Sequence, residues 1–140
     1  MEAKGFKLSK WAKDLLNSPD FTSCEKGKIY EIVILPGKLF LDGERTTKNI
    51  LAEGDKRGLS HGSELSTEVA CLIRENCSDE QIKKMGLNWL VTMHELIKDS
   101  VGALFLLSTD WVRGASWLSA RCGNPDRSWD YENGFVFLAV

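Results

Sequence analysis

The chain closes on Phe135-Val136-Phe137-Leu138-Ala139-Val140, six consecutive apolar residues. A run of this kind, left in solvent, would be an aggregation-prone edge, so a folded chain has to bury it in a sheet. Period-two alternation puts Phe135 and Phe137 on one strand face, and both are expected in the core. Ile29 to Leu35 (IYEIVIL) is rich in β-branched residues and stops at Pro36-Gly37, so it reads as a strand.

Helices are expected in the first half. Leu8, Trp11, Ala12, Leu15 and Leu16 fall at helical spacing, and Asn17-Ser18-Pro19 ends that segment; residues 1–20 read as an N-terminal helical extension. Leu39 to Leu41 reads as a short strand and Thr46 to Glu53 as a short helix, with a glycine-rich loop over Gly54 to Gly62. Ser66 to Asn76 reads as a helix, with Leu65, Val69, Leu72 and Ile73 on one apolar stripe. Ser78 and Gln81 have capping-box spacing at the start of another short helix. Leu87 to Ile97, Ala103 to Leu107 and Trp117-Leu118 read as strands. Helices early and strands late make an α+β domain with two main helices, and 140 residues fit one such domain over 1–140.

Composition excludes several classes. With 43% hydrophobic and 27% charged residues and a net charge of −2, the chain is neither disordered nor drawn generally to nucleic acid or anionic membrane. No nucleic-acid partner and no membrane insertion are expected. No apolar run reaches the length of a spanning helix, and the lysine-interrupted N-terminus is not a secretory signal, so cytoplasmic and virion-associated locations both stay open. Cys24, Cys71, Cys77 and Cys122 lack metal-ligand spacing and are read as packed thiols, with no metal and no cofactor expected. His94 and Glu95 are neighbours on a strand and point to opposite faces, which suits structural roles better than a catalytic dyad. Phosphate-binding, nucleophile-elbow and zinc-protease motifs are absent, and no catalytic residue is assigned.

The texture changes towards the end. All twelve lysines lie at or before Lys98, and the last 42 residues have none. Between Ser108 and Asn133 the chain turns to Ser, Asp, Asn, Gly, Arg and aromatic residues. Rigid aromatics, arginine forks and small polar groups are the materials of adaptable binding surfaces. A long surface connection can have the same composition.

The order of pieces in the tail adds a resemblance. Arg113, Gly114, Ser116 and Trp117, then Asn124-Pro125-Asp126-Arg127, then Gly134-Phe135 resemble the C-terminal end of C-type lectin folds of the formylglycine-generating-enzyme type. Among these the tail is most similar to the variable proteins of diversity-generating retroelements, whose codons in this region are rewritten by adenine-directed mutagenesis. Ala115 stands where the motif has a second glycine, and Val136 where it has arginine.

The resemblance implies a compact C-type-lectin-like fold, with N- and C-terminal strands paired and a variable region over 108–134. It implies ligand binding, in host or microbial-surface recognition, through Ser108, Asp110, Trp111, Arg113, Ser119, Arg121, Asn124, Asp126, Ser128, Asp130 and Tyr131. The structural anchors would be Gly114, Trp117, Leu118, Trp129, Gly134, Phe135 and Phe137. Trp111, Arg113, Arg121, Asp130 and Tyr131 are expected to converge on one exposed face that would take a protein or glycan ligand. A homo-oligomer would raise avidity for a weak site. The alternatives are an enzyme of the formylglycine-generating type, which would need a cysteine pair near Cys122, and a structural virion or surface subunit.

Overall fold

A computed structural model describes residues 7–19, 21, 30–98, 102–112 and 115–139. Cys24, Ile29, Arg113 and Gly114 lie outside them. The fold is α+β. Its described elements are β1 (Lys7–Leu8), α1 (Lys10–Leu16), β2 (Ile32–Pro36), a 3-10 turn (Gly37–Leu39), α2 (Thr47–Lys56), α3 (Glu68–Asn76), α4 (Asp79–Lys84), β3 (Trp89–Thr92), β4 (Ile97–Lys98), β5 (Leu104–Val112), β6 (Ala115–Cys122) and β7 (Asn133–Leu138). One sheet runs β1-β6-β5-β3-β7-β2, with β4 paired to β5.

The closing strand is fully buried from Asn133 to Leu138. It runs antiparallel to β2, with Leu35 opposite Phe135 and Ile32 opposite Leu138. Its other neighbour is β3, in parallel. Phe135 and Phe137 share one face; Phe135 meets Trp129 edge to face, with ring centroids 5.6 Å apart. Phe137 packs against Gly54 of α2. The opposite face of the central strands carries Leu107 and Leu118, covered by Ala70 and Cys71 of α3 and by Ala12 and Leu15 of α1.

Four helices are present among the described residues, at the four helical segments the sequence marks. Several expectations need correction. The first helix is no appendage. Its start is capped by Ser9, which accepts the Ala12 N–H, and its apolar face is buried against β6. Leu39 to Leu41 is not a strand: the chain makes a 3-10 turn after β2 and leaves Leu41 exposed. Leu87 to Ile97 is split into β3 and β4, and β5 continues five residues past Leu107. The capping box of Ser78 and Gln81 forms as the spacing predicts.

Candidate functional site

Two rungs of the sheet define the site. Across one face, Leu35, Phe135, Val91, Ser108 and Ser119 are successive register partners on β2, β7, β3, β5 and β6. The next rung runs Asn133, Trp89, Asp110, Trp117 and Lys7, the last on β1. Each rung begins in the core and ends in polar or amphipathic residues. The face is covered by α2 and the 123–129 loop at the β7 side and opens towards β6. There a surface cavity of about 570 Å³ is lined by Lys7, Asp110, Trp117, Ser119 and Arg121, among others.

Arg121 organises this end. Its guanidinium pairs with the Asp110 carboxylate and sits over the Trp89 ring, 3.6 Å from the centroid. Asp110 itself is 1% exposed. Burial pushes its carboxyl above the usual carboxylate range, and the Arg121 charge opposes that rise. From the other side of the hairpin, Arg74 is buried on α3 and donates to the main-chain carbonyls of Asp110 (2.9 Å) and Trp117 (3.3 Å). Arg74 also pairs with Asp79 at 3.0 Å, and Asp79 accepts from the Ser116 hydroxyl. One buried cation thus fixes β5 and β6 to α3 and the start of α4.

The 123–132 loop is held in a different way. Its own carbonyls close the start of α2: Pro125 accepts the Lys48 N–H at 3.0 Å and Arg127 accepts the Thr47 N–H at 3.1 Å. These are helix-start donors that would otherwise lack partners. The Trp129 N–H donates to the Arg45 carbonyl at 2.8 Å, and the Trp129 indole N–H to the Thr47 hydroxyl at 2.9 Å. The turn into β7 is closed by Asn133, whose Oδ1 accepts the Asp130 N–H and whose Nδ2 donates to Asn88, both at 2.9 Å. Asn124, Asp126, Ser128, Asp130 and Tyr131 are exposed on this frame, Tyr131 by 58%.

The expected five-residue face is not formed. Trp111 follows Asp110 on β5 and so lies on the opposite side of the sheet from Arg121. Its indole N–H donates to the Leu87 carbonyl (3.1 Å), and the Lys83 ammonium sits 4.7 Å from its ring. Asp130 and Tyr131 sit in the turn against Gly37. Arg113 lies outside the described residues. What does come together is Ser108, Asp110, Ser119 and Arg121, four of the expected ligand residues.

Ser108 and Asp110 are buried, however, rather than displayed. Among the expected anchors, Leu118, Trp129, Gly134, Phe135 and Phe137 are buried. Trp117 is not: it is half-buried beside the cavity, with the Lys7 ammonium 5.5 Å from its ring. Lys7 and Trp89 were missed because they lie outside the tail. An aromatic beside a short apolar stretch (Asn88-Trp89-Leu90-Val91) was the one available signal for Trp89.

Other polar pairs form no comparable site. His61 meets Asp55 at 2.7 Å on an exposed edge. Among the described residues, no group of His, Cys, Asp and Glu is placed to hold a metal, and no helix is long and apolar enough to cross a membrane. No protein-family model, no curated protein and no solved structure matches the chain.

Proposed function

We propose that the chain is a binding protein of the C-type-lectin-like, retroelement-diversified kind, and that its C-terminal third displays a variable ligand-binding surface. The observation that supports this best is the way the 123–132 loop is held. Main-chain groups and two buried side chains, Trp129 and Asn133, fix its course. The exposed side chains of Asn124, Asp126, Ser128, Asp130 and Tyr131 therefore carry little of the fold and can change freely. The polar end of β5 and β6 supplies the adjoining, more rigid part of the surface.

Display can be tested on the protein directly. A library varied together at those five exposed positions should keep its thermal midpoint within a few degrees, since exposed substitutions cost no more than about 0.5 kcal/mol each. Trp129→Ala or Phe135→Ala should cost about 3–5 kcal/mol. Equal losses in the two sets would make the loop structural and sink the proposal. Sequencing the gene's neighbourhood tests the mechanism of variation: a reverse transcriptase gene and a near-identical template repeat are expected beside it.

A further inference from the structure

The His61–Asp55 pair makes no site by its charges alone, but it borders a second, largely apolar cavity of about 380 Å³. One face of α2 forms its first wall. Thr47, Leu51 and Asp55 fall four apart on that helix, with Lys48 and Ala52 beside them. Met93 and Leu96, between β3 and β4, and Leu106 of β5 form another wall. The 123–125 segment closes a third side. It comes so near because position 123 is glycine: a Cβ there would stand 2.4 Å from Leu96 Cδ2.

His61 is held in place from three directions. Main-chain bonds tie both of its neighbours: the Ser60 N–H donates to the Leu138 carbonyl and the Gly62 N–H to the Met93 carbonyl, each at 2.9 Å. The His61 ring meets Phe137 edge to face, with centroids 5.8 Å apart. Its Nε2 lies 2.7 Å from the Asp55 carboxylate. A carboxylate can only accept, so Nε2 carries the hydrogen, and in the neutral ring Nδ1 is then an acceptor. That Nδ1 has no partner among the described residues. His94, which also lines the cavity, has both ring nitrogens engaged by the main chain.

These features narrow what can bind. Walls of leucine and methionine give a water molecule too few polar partners and favour an apolar body. The Met93 thioether suits an aromatic ring, and the volume suits a small one. A carboxylate would face Asp55. An ammonium would have to shed its water in an apolar cavity whose carboxylate is already paired. A neutral hydroxyl can donate to Nδ1 without burying a charge.

We infer that this cavity binds a small phenol, its ring between α2 and the wall of Met93, Leu96 and Leu106 and its hydroxyl donating to His61 Nδ1. Asp55 acts through His61, as the group that fixes which ring nitrogen accepts. None of the five displayed loop positions lines the cavity, so this inference stands or falls apart from the display reading.

The test is an NMR titration of the intact chain, read on the Met93 methyl group and the His61 ring protons. The probes are p-cresol, toluene, benzoate and benzylamine. p-Cresol should shift both sets of signals saturably and bind about fivefold more tightly than toluene, the gain expected of one hydrogen bond. Neither charged probe should bind more tightly than toluene. His61→Phe keeps an aromatic ring beside Phe137 and should bring p-cresol down to the affinity of toluene; a preference that survives overturns the inference. Ala52→Trp, on an exposed stretch of α2, should fill the cavity and abolish binding of both. Should His61→Phe fail to fold, Ala52→Trp carries the test, and p-cresol binding that survives it overturns the inference. Toluene binding as tightly as p-cresol would make the cavity merely apolar, and tightest binding by benzoate or benzylamine would reject a neutral hydroxyl. Either overturns the inference, as does the lack of any shift with p-cresol.

Discussion

His94 uses both ring nitrogens inside the protein. Nδ1 lies 2.7 Å from the Glu95 carbonyl, and Nε2 accepts the Leu107 N–H at 3.0 Å, a pattern that a neutral ring satisfies and a doubly protonated one cannot. Burial lowers its pKa from the usual value to about 4. Below pH 6.5 the unfolded chain takes up a proton that the folded chain refuses. Stability should therefore fall as pH drops from about 6.5 to about 4 and level off below, by up to about 3 kcal/mol from this group. Urea unfolding of the wild type and His94→Gln at pH 7, 5.5 and 4 checks this: the wild type should lose more than the variant on acidification, and parallel losses would clear His94. The sequence reads His94 as structural from strand alternation, but His94 lies in the break between β3 and β4, and its burial there comes from tertiary packing. The sequence could not mark Asp110 as buried, because what covers Asp110 is Arg121, eleven residues further on.

At the level of elements, α2 shows why boundaries were harder to read than the elements themselves. The helix itself was legible over Thr46 to Glu53; Thr46 caps it and Ile50 faces the core. Gly54 reads as a stop, yet the helix runs on to Lys56. The glycine is there because α2 lies so close to β7 that any Cβ at position 54 would run into the Phe137 ring. In an exposed helix, glycine to alanine stabilises by about 0.5–1 kcal/mol. Gly54→Ala should instead destabilise, by about 1–3 kcal/mol, as overpacked cores do. A thermal melt settles the sign, and a higher midpoint would mean that propensity outweighs packing. The same cause explains β5. Ser108-Thr109-Asp110 has loop composition, but it is a strand because β3 and β6 hydrogen-bond it from both sides. Pairing between distant segments is invisible to local propensity, so half of the candidate site looked like loop.

For the molecule as a whole, the two apolar runs were legible as strands, but it was the resemblance in the tail that implied their pairing, and the antiparallel direction of β2 and β7 was not read. The parallel pairings of β3 with β7 and of β1 with β6 were not legible either, since nothing local encodes them. Those pairings are what place Lys7 and Trp89 at the site. Among the described residues, β7 is the strand that links β2 to the rest of the sheet, through β3. A chain ending at Glu132 loses both ladders and all six buried residues of Asn133–Leu138. It should show no cooperative unfolding transition by circular dichroism, and a sharp transition would show that the remaining strands hold alone. The position of β7 has a genetic corollary. Because β7 joins β2 to β3, a frameshift or stop codon introduced anywhere before Asn133 yields a polypeptide that cannot close. Under the proposed diversification, folding would then act as a proofreading step: only copies that kept their reading frame through the rewritten stretch would escape proteolysis.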